Sequence, residues 1–184
     1  MSKTISKTGW TFPGLAENAL WSTAAAAIPN PIGTSGNDVM RGTSRPDSFD
    51  GRAGNDTIYG NGGVDVIVGG TGNDKIYLGK GLDTVYFNSR LNAKTNVDKI
   101  MDFKAADDTI GLARKIFKKI GSGPLQENAF HAGKSAHDAD DRIIYDQATG
   151  SLYYDADGNG SAAKIKFAVL ANKAAIAHAD FFIA

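Results

Sequence analysis

Aspartate returns every nine residues across the first half of this chain. Asp38, Asp47, Asp56, Asp65, Asp74 and Asp83 fall on one grid. Two positions after each stands an apolar residue: Met40, Phe49, Ile58, Ile67, Ile76 and Val85. Two positions before stand Gly36, Arg45, Gly54, Gly63, Gly72 and Gly81, and five before stand Gly33, Gly42, Gly51, Gly60, Gly69 and Leu78. A carboxylate set among glycines suits the binding of a hard cation. Glycine permits positive φ, so several backbone carbonyls can converge on one point. Ca²⁺ takes about 6–8 such oxygens at about 2.3–2.6 Å, in forgiving geometry. One Gly-Asn-Asp would mean only a tight turn. Six in phase specify a coil.

The elements that must hold these carboxylates follow from the spacing. Three residues such as "TIY" make a minimal strand, and six such as "GRAGND" make a turn. Eighteen residues then complete one circuit of a flattened right-handed roll. Asp38, Asp56 and Asp74 stack on one edge, and Asp47, Asp65 and Asp83 on the other. Neighbouring rungs lie about 4.8 Å apart, and carboxylates at that distance repel unless a cation lies between them. Each turn offers its Asp carboxylate and two or three carbonyls. The expected metal-site residues are therefore Gly33, Ser35, Asn37 and Asp38; Gly42, Ser44 and Asp47; Gly51, Ala53, Asn55 and Asp56; Gly60, Gly62 and Asp65; Gly69, Thr71, Asn73 and Asp74; and Asp83. Three turns per edge leave two gaps per edge, which predicts four calcium ions. Mg²⁺ is a poor substitute because it demands a tighter octahedron. The edges differ: "GTSGND", "GRAGND" and "GGTGND" are intact, whereas "GTSRPD", "GNGGVD" and "LGKGLD" carry Arg45, Pro46 and Leu78 in disturbed positions. Tighter binding is expected along the Asp38–Asp56–Asp74 edge.

From Gly33 to Tyr86 the pattern resembles the RTX (hemolysin-type calcium-binding) nonapeptide G-G-x-G-x-D-x-U-x. The fold class expected is all-β: a right-handed parallel β-roll, followed by a β-rich C-terminal cap with a short helix. One inward residue per nonapeptide gives a thin core, and glycine-rich turns lose much entropy on ordering. Without metal the roll should be disordered. Four sites, each at about ten times its Kd, add about 6 kcal/mol, comparable to the about 5–15 kcal/mol of a whole domain. Extracellular calcium modules bind at about 10⁻⁴ to 10⁻³ M, so the chain should be unfolded in the cytosol and folded outside.

After Asn88 the nonapeptide grid is lost. "VDKIMDF" alternates like a strand, and "ADDTIGL" reads as a turn and a strand. "ARKIFKKI", Ala113 to Ile120, places Ile116, Phe117 and Ile120 on one face of a short helix. "RIIYD", "SLYYD" and "AKIKFAVL" form a β-meander joined by "QATG" and "ADGNGSA". "DADGNG", Asp155 to Gly160, has the start of a calcium loop, but its twelfth position is Lys166, so a hairpin turn without metal is favoured. Asp138, Asp140 and Asp141 could likewise assist a metal, but a solvated turn is favoured. This half resembles the cap of serralysin-type proteins exported by type I secretion. That resemblance implies a further calcium ligand at Asp102, and an uncleaved export signal in Asp180-Phe181-Phe182-Ile183-Ala184, an acid followed by apolar residues.

The expected organisation is thus an N-terminal capping segment over 1–32, the roll over 33–87 and the cap over 88–184. In the first segment Leu15, Leu20 and Trp21 should cover the end of the roll. Pro13, Gly14, Glu17 and Asn18 interrupt any leader-like apolar run.

Composition narrows the function. Lys+Arg and Asp+Glu are 20 each, so no global charge favours nucleic acid or an anionic membrane. Glu appears only at Glu17 and Glu127, which leaves 20 − 2 = 18 aspartates, a turn- and ligand-rich bias. Cysteine is absent, which suits passage between reducing and oxidising compartments. His131, His137 and His178 form no H-E-x-x-H, and there is no phosphate loop or G-x-S-x-G, so no enzyme is expected. Two functions remain open. One is a secreted bacterial calcium-binding protein whose partners are calcium and the type I secretion machinery. The other is an extracellular polysaccharide- or matrix-binding module, with Arg41, Arg52, Tyr59 and Tyr77 as exposed candidates, or the targeting part of a larger secreted enzyme.

Overall fold

The structure, a computed structural model, describes residues 31–184. The expected capping segment, with Leu15, Leu20 and Trp21, lies outside the described residues but for its last two positions.

Strands of three residues recur at the nonapeptide spacing. They are β1 (Val39–Arg41), β2 (Ser48–Asp50), β3 (Thr57–Tyr59), β5 (Val66–Val68) and β6 (Lys75–Tyr77), with β8 (Thr84–Phe87) one residue longer. Two glycine-rich pieces, β4 (Gly62–Gly63) and β7 (Lys80–Gly81), pair with each other in the turns. In each three-residue strand the middle side chain points inward, and Phe49, Ile58, Ile67 and Ile76 are fully buried. This alternation places the flanking residues outside, as period-two geometry requires. Odd and even repeats go to opposite sheets. β1, β3 and β6 pair in parallel with Met40 beside Ile58 and Ile58 beside Ile76. β2, β5 and β8 do the same with Phe49, Ile67 and Val85.

Both ladders cross the point where the repeat spacing ends. β9 (Asp98–Ile100) adds in parallel to β6, and β10 (Thr109–Leu112) adds to β8. β15 (Ile165–Leu170) and β16 (Phe181–Ile183) extend the same two sheets, again in parallel. The remaining strands are β11 (Gly123–Pro124), β12 (Phe130–Ala132), β13 (Ile143–Asp146) and β14 (Ser151–Tyr154). The result is an eight-stranded sheet, β1-β3-β6-β9-β15-β14-β13-β12, and a six-stranded sheet, β11-β16-β10-β8-β5-β2. One continuous core runs between them from Met40 to Ile183. Most of its aromatic residues lie in the C-terminal half, where Phe117 meets Phe167 and Tyr154 edge-on.

The meander is as expected: β13, β14 and β15 are antiparallel neighbours, joined through the "QATG" turn and the loop that contains "DADGNG". The expected helix over Ala113–Ile120 is not. Among the described residues there is no α-helix, only three-residue 3₁₀ turns at Glu127–Ala129 and His178–Asp180. Residues 113–120 form successive turns instead. Phe117 N–H donates to the Ala113 carbonyl, but Ile120 N–H donates to Phe117, and the ladder never propagates. Eight residues closed by Gly121 are too few to repay helix nucleation. The turns still bury Phe117 and Ile120, which is what the apolar spacing had signalled.

Candidate metal centre

The strand ends deliver the six aspartates to the two rims of the roll, where four of them, Asp56, Asp65, Asp74 and Asp83, make the same contact. One carboxylate oxygen accepts the backbone N–H of the aspartate one circuit earlier. Asp38 N–H reaches Asp56 Oδ1 and Asp56 N–H reaches Asp74 Oδ1, both at 2.8 Å. On the other rim Asp47 N–H reaches Asp65 Oδ1 at 2.8 Å, and Asp65 N–H reaches Asp83 Oδ1 at 2.9 Å. Two further aspartates continue these ladders. Asp74 N–H reaches Asp98 Oδ1 at 3.1 Å, and Asp83 N–H reaches Asp108 Oδ1 at 3.3 Å.

The second oxygen distinguishes the ends of the ladders from the middle. At the first turns Asp38 Oδ2 accepts the N–H and hydroxyl of Thr34, and Asp47 Oδ2 accepts those of Thr43. At the last turn of the second rim Asp108 Oδ2 accepts the Lys104 N–H. In between, Asp56 Oδ2, Asp65 Oδ2, Asp74 Oδ2 and Asp83 Oδ2 are buried without a hydrogen-bond partner. Asp47 Oδ1, at the start of its ladder, is likewise unpartnered. A buried carboxylate oxygen without a donor costs about 1–3 kcal/mol or more.

The glycines explain how carbonyls come to the same place. A Cβ on Gly51 would stand 2.6 Å from Asp56 Oδ2 and against the carbonyl of Gly69. The space a side chain would fill is thus walled by a carboxylate oxygen and by a carbonyl from the next circuit. At Gly72, φ is +138° and a Cβ would strike the Gly54 carbonyl. Arg45 is tolerated at the equivalent position because it sits in the first turn of its rim, where φ is not positive. Leu78 turns into the core, fully buried, and its carbonyl faces Gly60 as Gly69's faces Gly51.

These carboxyls share a dry environment and each other's charge. Burial pushes the Asp65 carboxyl up to about 7 and that of Asp108 to about 6, against the N–H bonds they accept. Burial also raises Asp56, Asp74, Asp83 and Asp98, with neighbouring carboxylates adding to the effect. Among the described residues no Lys or Arg forms an ion pair with them. Hard, orphaned oxygens beside convergent carbonyls fit Ca²⁺, and among the described residues no histidine joins the rims to favour a softer metal.

Asp98 and Asp108 were missed by the nine-residue grid because loops lengthen the circuit to 24 and 25 residues. The signal that could have found them is the Asp-x-Ile triplet, "DKI" and "DTI". The fifth-position asparagines have another task. Asn37 Oδ1 accepts the Asn55 N–H, Asn55 Oδ1 that of Asn73, and Asn73 Oδ1 that of Val97, at 2.6–2.9 Å. This side-chain ladder exists on the first rim only; the second has Pro46, Val64 and Leu82 there. Of the third-position residues, Ala53 bridges Thr71 and Gly62 lies in β4, while Ser35 and Ser44 are exposed. Asp102 clamps a turn: its two oxygens accept the N–H groups of Leu78 and Gly79, while Lys104 Nζ donates to the Gly79 carbonyl at 2.7 Å.

Outside the rims, Arg41, Tyr59 and Tyr77 stand in one row across β1, β3 and β6. The tyrosine rings stack at 4.7 Å and the Arg41 guanidinium lies 4.1 Å over Tyr59. Arg52 is in a turn, at φ 67°, apart from this row. Among the described residues no helix is long and apolar enough to cross a membrane.

Residues 32–67 and 59–89 each match the family model described as RTX calcium-binding nonapeptide repeat (4 copies). No curated protein sequence matches the chain. Among the solved structures that share its fold are two from one enzyme. They are the solution structures of the AlgE6R2 and AlgE6R3 subunits from the Azotobacter vinelandii mannuronan C5-epimerase. Each is 22% identical. The first gives a TM-score of 0.54 over 87% of this chain and 96% of that one, and the second 0.53 over 84% and 83%. The repeat region is a calcium-binding β-roll of the RTX type, and its four buried, unpartnered Oδ2 atoms fit about four ions.

Proposed function

We propose that this is a secreted, non-catalytic calcium-binding protein whose roll folds when it meets Ca²⁺ outside the cell. The observation that carries this reading is the set of four buried, partnerless oxygens at Asp56, Asp65, Asp74 and Asp83. Without a cation they oppose folding; with one they become the strongest contacts of the roll. The ligand set is the turn carbonyls and carboxylates of both rims from Gly33 to Asp83, with Asp98 and Asp108 closing the last gaps and Asp102 holding the turn between them. Export by a type I machinery rests on the terminal "DFFIA" and on the absence of cysteine. Circular dichroism in the far ultraviolet, during calcium titration of the chelated protein, tests the reading. A cooperative gain of β signal in the sub-millimolar to millimolar range with Ca²⁺, and none with Mg²⁺, is expected. A spectrum already folded in chelator and unmoved by calcium overturns it.

A second reading, as a polysaccharide-binding module, is favoured by the Arg41–Tyr59–Tyr77 row, with Lys75 5.2 Å from the Tyr77 ring centre. A row of cations and phenol groups suits the hydroxyls and carboxylates of a polyuronate. Retardation of the calcium-loaded protein in gels containing mannuronan, lost in Tyr59→Ala, is the expected result. Unaltered migration at every polymer concentration sinks it.

A further inference from the structure

Away from the rims, two histidines and two aspartates meet on the C-terminal half. His131 comes from β12, whereas His137, Asp138 and Asp141 come from the loop that leads into β13. Asp141 is 4% exposed and organises this loop: its Oδ2 accepts the N–H groups of His137 and Asp138 at 2.5 and 3.1 Å. Asp138 Oδ1 accepts the N–H groups of Asp140 and Asp141, which leaves its Oδ2 directed to His137 Nδ1 at 3.4 Å. The imidazoles of His131 and His137 stack with centres 5.7 Å apart and planes 12° from parallel. His131 Nδ1 stands 3.9 Å from Asp141 Oδ2, beyond a hydrogen bond. Ligand atoms of His137, Asp138 and Asp141 all lie within 4.8 Å of one another.

We propose that His131, His137, Asp138 and Asp141 form a second metal site, for Zn²⁺ or a similar borderline divalent ion. Zn–N and Zn–O bonds of about 2.0–2.2 Å put two tetrahedral ligands about 3.4 Å apart. The His137–Asp138 contact already has that spacing. The His137 side chain, 74% accessible, has room to turn its ring; His131 lies outside the set already within 4.8 Å and would have to move toward it to become the fourth ligand. Two imidazole nitrogens with two carboxylate oxygens select zinc, nickel or copper over calcium, which takes oxygen. The rims, all oxygen, and this cluster, half nitrogen, would therefore take different ions in one molecule. The bound ion would tie β12 to the loop before β13, where Asp141 supplies the fixed anchor.

The test is calorimetric titration of the full, calcium-loaded chain with ZnCl₂, followed by amide chemical shifts. One equivalent is expected to bind, with shifts confined to residues near 131–141. His131→Ala and His137→Ala should each weaken binding at least about tenfold, with the calcium-induced circular dichroism unchanged. His178→Ala, at the one histidine outside the cluster, should bind as the parent does. Saturation that survives in the His131→Ala/His137→Ala double variant overturns the proposal. So does the absence of binding up to 0.1 mM Zn²⁺ (about −5.5 kcal/mol), or displacement of the zinc by calcium. Failure here leaves the calcium reading of the rims untouched, since no rim residue is involved.

Discussion

Asp65 holds the Asp47 N–H at 2.8 Å with one carboxylate oxygen and buries the other with no donor at all. The first contact fixes the circuit height and the aim of the side chain. The second oxygen is then delivered, dry and unpaired, to the gap between circuits. One side chain thus supplies both scaffold and ligand.

Calcium and protons should compete at these positions. Burial raises Asp65 to about 7 and Asp108 to about 6, both above the unfolded carboxyl value. In chelator, the folded roll binds more protons than the unfolded chain between that value and about 7. Its stability is therefore fully present below about pH 4 and lost as pH rises through 6 to 7. With calcium the trend reverses, because the ion needs the ionised form. Calcium midpoints measured at pH 5.5, 6.5 and 7.5 should fall as pH rises. A midpoint independent of pH contradicts the raised values.

The two rims should not respond alike to the loss of one carboxylate. Asp56 lies on the rim stiffened by the Asn37–Asn55–Asn73 ladder, whereas Asp65 is flanked by Val64. Preorganised sites lose more when a ligand goes. Asp56→Ala is expected to raise the calcium midpoint more than Asp65→Ala, and equal shifts would remove the distinction.

Asp98 and Asp108 extend the prediction to the end of the roll. Asp98→Asn keeps a hydrogen-bond acceptor for the Asp74 N–H but removes the charge. If Asp98 only spaces the circuits, the number of ions bound should stay near four. If it is a ligand, as proposed, ion counting by calorimetry should give fewer than the parent protein, with folding by the earlier sites retained.

Glycine substitutions separate backbone shape from metal. At Gly72 a Cβ meets the Gly54 carbonyl at φ +138°, so Gly72→Ala should cost about 1–3 kcal/mol or more. At Gly36, in the first turn, a Cβ meets only Thr34 Oγ1 at 3.7 Å, so Gly36→Ala should stay within about 0.5 kcal/mol. Urea unfolding at saturating calcium measures both. A comparable loss at Gly36 would show that the first turn shares the geometry of the later ones.

Much of this was legible because the period is short and the chemistry repeats. The inward column from Met40 to Val85 and the division of Asp38 and Asp47 between rims followed from counting nines. Asp98 and Asp108 escaped because insertions of six and seven residues shift them off the grid, although each keeps an apolar residue two positions on. The helix read at Ala113–Ile120 failed because three apolar residues at helical spacing can be buried equally by successive turns. That His131 meets His137 could not be read at all. It depends on β12 pairing in parallel with β13, a contact set by tertiary packing.

β16 holds three of the five residues read as the export signal, Phe181 to Ile183, clamped between β10 and β11 with Phe181 and Ile183 buried. A tail in that position is unreadable by any machinery that must grip it as an extended chain. Under the export reading proposed above, the signal and the finished fold are mutually exclusive states. Calcium on the far side then rectifies transport like a ratchet: each chain that folds withdraws its own address and cannot slip back.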